Sequence, residues 1–232
     1  YTYTNPTVQI NDFARILKFN PTINALDQNY GNGNGIASIS WNSQSNTNFV
    51  QDQIKRILYV GGDLYVAGFS RENIGAQYTP VHGKVTLLNN LGVADNSFAS
   101  TGTFAPDYSS TRFRTYFNDI DLAGDGSLYL SGSGSVTSSP NDPTTSFILA
   151  LNDNGTVQTN KGTNGFLFES YDFYEINESI IIPGATALSD KFVFNGFYSS
   201  MPSETAVGRL VWSNAVNGLT SIEEQSIALY PN

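Results

Sequence analysis

The chain consists of short apolar segments of about 4 to 8 residues separated by clusters of Gly, Asn, Asp, Ser and Thr, a pattern typical of strands joined by tight turns. The apolar segment 64–66 (Leu-Tyr-Val) is followed closely by Gly68, and similar segments precede Gly132 and Gly196. These glycines are spaced 64 residues apart, with the apolar residues before them in the same register. The fixed interval predicts a repeat architecture.

Each period accommodates four strands. One leads to an Asp-Gly or Gly-Gly turn, the next ends at the repeated glycine, the third is of a Leu-Leu-Asn type, and the last is a short strand that ends in Asp-x-x-aromatic. The third type occurs at 13–20, 84–90, 147–153 and, in a weaker form, 208–214. Turns such as Asn154-Gly155 supply the positive φ angles that tight hairpins need. Four antiparallel strands per repeat predict an all-β fold, a β-propeller of four-stranded blades.

The number of repeats is smaller than a closed ring requires. With 232 residues and a period of 64, about 3.5 blades are present, whereas closed propellers have roughly 4 to 8. An open arc would leave sheet edges exposed, and exposed edges promote aggregation. We therefore expect these blades to be part of a larger ring, with further blades upstream in the natural protein.

Composition restricts the partners more than the fold. Charged residues make up only 13% of the chain and the formal net charge is −9, so no basic footprint for nucleic acid or an anionic lipid surface is expected. The chain contains no cysteine, which excludes disulfides, thiolate metal sites and cysteine nucleophiles. It also has no apolar run of about 18 residues, so no membrane-spanning helix is predicted.

The repeated segments also carry a family resemblance. The segments 26–31 (Leu-Asp-Gln-Asn-Tyr-Gly), 64–68 and 147–155 resemble the delta-60 repeat of secreted β-propellers of Bacteroidota. The resemblance covers residues 13–213 and implies the propeller fold. Two copies depart from the repeat pattern: Asn195 replaces the small residue before Gly196, and Gln158 and Lys161 replace the Asp and the aromatic residue of Asp-x-x-Phe.

The C-terminal residues resemble a second, separate family. Residues 221–232 (Ser-Ile-Glu-Glu-Gln-Ser-Ile-Ala-Leu-Tyr-Pro-Asn) are similar to the opening of the type A C-terminal sorting domain of type IX secretion system cargo. The resemblance implies a propeller at 1–215, a linker at 216–220 and the start of the signal at 221–232. It also implies export across the outer membrane to the cell surface or medium. The residues expected to contact the secretion channel and its outer-membrane shuttle protein are Ile227, Leu229, Tyr230, Pro231 and Asn232.

Two sequence features are weak candidates for chemistry. His82 is the one histidine of the chain, and without a second histidine or a Gly-x-Ser-x-Gly elbow it is interpreted as a loop residue before a strand rather than a catalytic base. The acidic segment 118–126 contains Asp119, Asp121 and Asp125. Its spacing places Ala123 where a calcium loop needs an oxygen ligand. A strand followed by an Asp-Gly hairpin turn is the preferred interpretation.

The best catalytic candidate is a group of carboxylates among aromatic residues. Asp172, Glu175 and Glu178 lie in Tyr-Asp-Phe-Tyr-Glu-Ile-Asn-Glu, and paired carboxylates are the usual machinery of glycoside hydrolysis. Acidic residues interleaved with aromatics are equally typical of a half-exposed strand. Three further aromatic residues are candidates for a binding surface, although core packing is the commoner role for such side chains: Trp41, Tyr78 and Tyr108.

We therefore expect a secreted, non-enzymatic display or adhesion propeller, exported as type IX cargo, with no catalytic, cofactor or metal residues. Surface glycans and other cell-surface proteins are the candidate ligands. The alternative is an extracellular propeller that binds or hydrolyses glycans, because the fold itself does not decide between these functions. A passenger whose binding is supplied by other domains fits the sequence equally well.

Overall fold

The computed structural model describes residues 11–12, 14–41, 49–73, 81–106, 114–135, 144–162, 164–170, 173–182, 191–198, 205–211 and 222–225. These residues form strands and turns without a helix, which confirms the prediction of an all-β chain. The strands are β1 (Asn11–Asp12), β2 (Ala14–Leu17), β3 (Phe19–Asn20), β4 (Ala25–Leu26), β5 (Ile36–Ile39), β6 (Phe49–Val60), β7 (Asp63–Asn73), β8 (Val81–Leu88), β9 (Thr103–Phe104), β10 (Arg114–Leu122), β11 (Leu128–Ser135), β12 (Thr145–Leu151), β13 (Phe166–Ser170), β14 (Phe173–Ile182), β15 (Lys191–Tyr198), β16 (Thr205–Val211) and β17 (Ile222–Gln225).

Most of these strands belong to three antiparallel meanders of four strands. We call β6–β9 the first meander, β10–β13 the second and β14–β17 the third. One parallel pair, Arg114 with Val81, joins β10 to β8, so the first two meanders and β1 form a continuous nine-stranded sheet. The strands β2 and β5 pair with each other ahead of the first meander. The described sheets are open rather than closed on themselves.

Each meander has a β-bulge in its first strand, opposite one of the repeated glycines. The pairing shifts between residues 54 and 56, 117 and 119, and 176 and 178, next to the partners Gly68, Gly132 and Gly196. A β-carbon on any of these glycines would overlap the backbone carbonyl of the strand opposite, at Gln53, Tyr116 or Glu175. The 64-residue glycine interval thus marks a bulge that only glycine accommodates.

Apolar cores lie between successive meanders. Strand β12 has both of its faces buried: Phe147, Leu149 and Leu151 pack towards the first meander, whereas Ile148 and Ala150 pack towards the third. A further core joins β2 and β5 to the first meander through Ile16, Ile39 and Val66 among others. Because side chains alternate between the two faces of a strand, the second meander contacts the first with one face and the third with the other.

The Asp-x-x-aromatic element differs from the prediction, because it forms a turn after the third strand rather than the fourth strand itself. The Asp95 side chain accepts a 2.9 Å hydrogen bond from the amide of Ser97, which closes the turn and buries Phe98 completely. Asp27 and the almost fully buried Tyr30 form the same turn earlier in the chain. The fourth strands come later, as β5, β9, β13 and β17.

The buried aromatic residue of this turn contacts the next sheet. The amide of Gly31 donates to the carbonyl of Leu91, and the amide of Ala99 donates to the carbonyl of Asn154, both at 2.7 Å. Gly92 and Gly155 follow those carbonyls, and a β-carbon on either would reach the ring of Tyr30 or Phe98 at less than 3.0 Å. The turns therefore join successive sheets through one aromatic ring and one hydrogen bond each.

The copy that lacks the aromatic residue keeps the backbone turn. The amide of Lys161 donates to the Gln158 carbonyl at 2.9 Å, as the amide of Phe98 does to Asp95 in the preceding copy. The Lys161 ammonium contacts Asp125 Oδ2 (3.0 Å), Ser127 Oγ (2.8 Å) and Tyr129 OH (2.6 Å). In this copy, polar contacts within the second meander therefore stand where the other copies have a buried aromatic ring.

The C-terminal residues are described in part. Strand β17, which lies within the segment predicted as a sorting signal, pairs with β16 as the fourth strand of the third meander. The residues predicted to contact the secretion machinery lie outside the described residues: Ile227, Leu229, Tyr230, Pro231 and Asn232. The described part of the chain contains no helix long and apolar enough to cross a membrane.

Candidate functional site

A groove with three charged residues in its lining lies where the first strands of the three meanders meet. Its volume is about 400 Å³, and it is lined by Arg56, Asp119, Glu178, Ser179, Ile180, Val193, Phe194 and Asn195. The arginine comes from β6, the aspartate from β10 and the remaining residues from β14 and β15. The bulges bring these side chains to one place, because each lining charge occupies the first position after the bulge of its strand.

Asp119 is the central group of the groove. Its side chain is 2% exposed, and its Oδ1 is 3.1 Å from Nε of Arg56, which is 49% exposed. The same oxygen accepts a hydrogen bond from the amide of Ile120 (2.9 Å), and Oδ2 accepts one from the amide of Ser179 (2.7 Å). Burial raises the pKa of Asp119, and these donors and the Arg56 charge oppose that shift. The carboxylate thus binds three consecutive meanders together.

Asp121 is a second carboxylate, and it shares Ser179 as a hydrogen-bond donor with Asp119. Its Oδ2 accepts a 3.0 Å hydrogen bond from Oγ of Ser179, which also lies 3.1 Å from Oγ of Ser131. Burial raises the pKa of Asp121 to about 6, and the negative charge of Asp119 adds to the shift. Two acidic groups that share one serine are expected to take up a proton more readily than an isolated aspartate.

The structure brings the acidic segment 118–126 close to the two glutamates of the predicted carboxylate group. Strand β14, which carries Glu175 and Glu178, lies beside β10, which carries Asp119 and Asp121. Oε1 of Glu175 accepts a 3.0 Å hydrogen bond from the side chain of the bulge residue Asn118. Glu178 is exposed, with Asn195 Nδ2 at 3.4 Å from its Oε2. The two glutamates therefore have separate partners, and the third member of the predicted carboxylate group, Asp172, lies outside the described residues.

The acidic segment 118–126 forms a strand and a turn, as interpreted from the sequence. Asp119 and Asp121 belong to β10, and Asp125 accepts a 2.9 Å hydrogen bond from the amide of Ser127 in the turn at Gly126. Burial would raise the pKa of Asp125, but hydrogen bonds from Ser127 and contact with Lys161 outweigh it and lower the pKa. Among the described residues, no group of three or more His, Asp or Glu side chains is arranged to hold a metal ion.

Two of the remaining predicted residues, His82 and Trp41, are described and do not line the groove. His82 is an exposed residue within β8, opposite Ser70, rather than a loop residue before the strand. Trp41 packs against the core of β2, β5 and the first meander, and its Nε1 donates a 2.7 Å hydrogen bond to Thr86 Oγ1. It is thus a packing residue, whereas Tyr78 and Tyr108 lie outside the described residues.

Sequence reasoning did not single out Arg56 or Ser179. Arg56 is paired in register with Ala67, just as Asp119 is paired with Ser131 and Glu178 with Asn195. These three partners are themselves 64 residues apart and directly precede the repeated glycines. The residue before each repeated glycine therefore marks the position of a groove residue on the neighbouring strand. This relationship can be recognised only when the position of the bulge is known.

Comparison of the chain with protein-family models, curated proteins and solved structures gives no match.

In the inner part of the groove, the polar side chains already form hydrogen bonds within the protein. Both oxygens of Asp119 and the Ser179 hydroxyl have partners within the protein. The rim differs, because Arg56 and Glu178 keep solvent contact and line the groove together with the apolar side chains of Ile180 and Val193. Hydrogen bonding to a ligand is available at the rim, whereas the inner carboxylates hold the sheets together.

Proposed function

We propose that this chain is a section of a β-propeller that serves as a rigid, non-enzymatic display or adhesion module outside the cell. The observation that carries the architectural part is the stack of three antiparallel meanders, with apolar cores on both faces of the middle one. Propellers arrange four-stranded antiparallel sheets in this way around an axis. The delta-60 resemblance of residues 13–213 supports the same proposal.

The absence of enzymatic activity is proposed from the groove. A general acid or nucleophile has to reach a substrate atom, but Asp119 is 2% exposed and engaged by Arg56 and the Ser179 amide. Its shifted pKa has a structural explanation in burial between sheets. Perturbed carboxylates also occur in structural networks, and this network links three meanders.

Export through the type IX secretion system is proposed from the resemblance of residues 221–232 to a type A sorting domain. The partners would be the secretion channel and its outer-membrane shuttle protein, and the location would be the cell surface or the medium. Surface glycans or other cell-surface proteins are the proposed ligands of the exported protein. No nucleic-acid partner is proposed, since the net charge is −9.

The experiment is an export assay in the natural host with the natural protein. Tyr230→Ala is expected to leave the protein behind the outer membrane, whereas Tyr59→Ala, which changes an exposed tyrosine of β6 (69% exposed), is expected to be exported normally. Both proteins are scored by immunoblotting of surface, medium and periplasmic fractions. Equal export of the two variants would refute the type IX proposal.

The second candidate function is an extracellular propeller that binds or hydrolyses glycans. It is favoured by the rim of the groove, where a guanidinium, a carboxylate and an amide lie together with apolar side chains. Glycan-array binding and release of reducing sugar test it, with Glu178→Gln as the variant. Binding or turnover that is lost in Glu178→Gln would replace the display function by this one.

A further inference from the structure

One face of the third meander points away from the second meander. Phe192 and Phe194 of β15, with Ile176 and Ile181 of β14, pack towards the second meander. Alternation along the strands places five other residues on the opposite face, namely Glu178, Ile180, Ile182, Val193 and Asn195. Ile180 is 57% exposed and Ile182 is 46% exposed. We call this surface the outer face.

The same positions are covered in the two preceding meanders. The repeated glycines align Val193 with Tyr129 and Tyr65 at intervals of 64 residues. Tyr65 is buried in the core shared with the second meander, and Tyr129 in the core shared with the third. Leu58 and Val60, on the first strand next to Tyr65, pack into the same core. The first and second meanders therefore each pack this face against the next meander.

Charges follow the same positions from sheet to sheet. Arg56 of the first meander forms an ion pair with Asp119 of the second at 3.1 Å. Glu178 follows in the third meander, and its negative charge contributes to the raised pKa of Asp119. Arg56 is the one cation among the described residues that line the groove, beside the two anions Asp119 and Glu178. A cation on the far side of Glu178 would offset this excess of negative charge.

We propose that in the natural protein the outer face is covered by another four-stranded sheet of the same polypeptide, which brings a lysine or arginine to Glu178. The inference rests on the proposed propeller architecture and deepens it by naming the surface and the charge that the adjoining sheet must match. The match is residue by residue: Ile180 and Ile182 would enter an apolar core as Leu58 and Val60 do, and Glu178 would pair as Arg56 does.

Cysteine labelling of the natural protein tests the covering directly, because residues 1–232 contain no cysteine. Ile180→Cys and Ile182→Cys are compared with Val93→Cys, an exposed control whose parent residue is 49% exposed, and with Ala150→Cys, a buried control. We expect maleimide to label the thiols at 180 and 182 at least about tenfold more slowly than the thiol at 93, because labelling would require local opening. Equal rates at 93, 180 and 182 would overturn the proposal.

The labelling experiment also separates other occupants of the outer face. Protection that disappears on dilution would assign the face to a second copy of the protein, and protection that appears only with added glycan would assign it to a ligand. Either result overturns the proposal of a sheet from the same polypeptide. The readout is independent of export and adhesion, so the display function and this inference can fail separately.

Charge variants at residue 178 give a second test whose sign depends on the covering. If a cation of an adjoining sheet meets Glu178, Glu178→Gln lowers the Tm of the natural protein and Glu178→Lys lowers it further through repulsion. On an uncovered face, Glu178→Lys would instead place a cation near Asp119, which attracts it, and near Arg56, which repels it, so the Tm would change little. A Tm that is unchanged or raised in Glu178→Lys therefore contradicts the proposal.

Discussion

The amide of Ser179 donates a 2.7 Å hydrogen bond to Oδ2 of Asp119, and this bond connects the third meander to the second inside an almost fully buried network. Most of the contact between these sheets is apolar. Asp119 places a carboxylate within this apolar contact. The free-energy cost of burying its charge is offset by hydrogen bonds and by the guanidinium of Arg56. The stability of the interface should therefore depend on Ser179 and on pH.

Ser179→Ala is expected to destabilise the protein by about 1 to 3 kcal/mol, since it leaves buried polar atoms without a partner. The lost hydroxyl is the donor to Asp121 Oδ2 and the neighbour of Ser131 Oγ. Denaturant unfolding measures the change. Ser38→Ala, at an exposed position of β5, is the matched control and should change the stability little. Equal midpoints for both variants would show that the shared serine is dispensable.

Asp121 should make the protein more stable at pH 5 than at pH 7.5. Its pKa in the folded protein is about 6 against an ordinary value of 3.8, so the folded state binds the proton more tightly than the unfolded state. Stability from this group is fully present below pH 3.8 and is lost as the pH rises through about 6. The difference should be about 1 to 2 kcal/mol, since one pKa unit corresponds to about 1.4 kcal/mol and Asp121 keeps some solvent contact.

Asp121→Asn checks the origin of this pH dependence. The variant should be more stable than the parent at pH 7.5, and its stability should change less between pH 5 and 7.5. Some dependence should remain, because burial also raises the pKa values of Asp52 and Asp119. Carboxylates with lowered pKa values, such as Asp95, lose their contribution only below this window. An unchanged pH profile of unfolding in Asp121→Asn would refute the assignment.

The repeat and the strand content could be predicted from the sequence, because alternation of apolar residues and glycine spacing are local signals. Gly68, Gly132 and Gly196 mark the same bulge in each meander. The predicted position of the fourth strand is wrong, because Asp95 and Phe98 have a strand-like neighbourhood in sequence but the Asp95 side chain caps a turn. Side chain to backbone hydrogen bonds of this kind compete with sheet pairing.

The groove could not be predicted from local patterns. Arg56 and Asp119 are 63 residues apart and meet only when two sheets stack. Glu178 was singled out as a catalytic candidate, whereas Ser179, the residue that joins the two carboxylates, carries no recognisable motif. Contacts between sheets depend on which face each residue takes after a bulge, and a single extra residue reverses that face.

Gly132→Ala should strongly destabilise the protein. A β-carbon at 132 would overlap the carbonyl oxygen of Tyr116, and both strands are held in the middle of the second meander. Forced overlap in a packed sheet costs about 3 kcal/mol, which thermal or denaturant unfolding will detect. Gly124→Ala is the control, because nothing lies within 4 Å of the β-carbon position there. If both substitutions were tolerated equally, the bulge would not be the reason for the repeated glycine.

Lys161→Met should cost more than Lys18→Met, although both lysines pair with an aspartate and lie near a tyrosine ring. The ammonium of Lys161 is 3.0 Å from Asp125 and that of Lys18 is 3.1 Å from Asp27. The lysine side chains are 23% and 48% exposed, and Lys161 alone of the two bonds a buried tyrosine hydroxyl. We expect a loss of about 1 to 2 kcal/mol at 161 and below about 1 kcal/mol at 18. Equal losses of stability in urea unfolding would contradict the role of Lys161 as the replacement for the buried aromatic residue of this turn.

Phe98→Ala should be among the most destabilising single substitutions, because this ring packs between the first and second meanders. The side chain is fully buried, packs edge-on against Tyr65 with 5.7 Å between ring centroids, and lies under Gly155 of the next sheet. Truncating such a ring costs about 3 to 5 kcal/mol through lost burial and the cavity left behind. Tyr59→Ala, at a tyrosine that is 69% exposed, provides the control and should change unfolding by less than about 0.5 kcal/mol. Because Phe98 contacts Tyr65 of its own meander and Gly155 of the next, hydrogen exchange in Phe98→Ala should rise in both β8 and β12. A rise confined to the turn itself would instead show that the ring stabilises only its own loop.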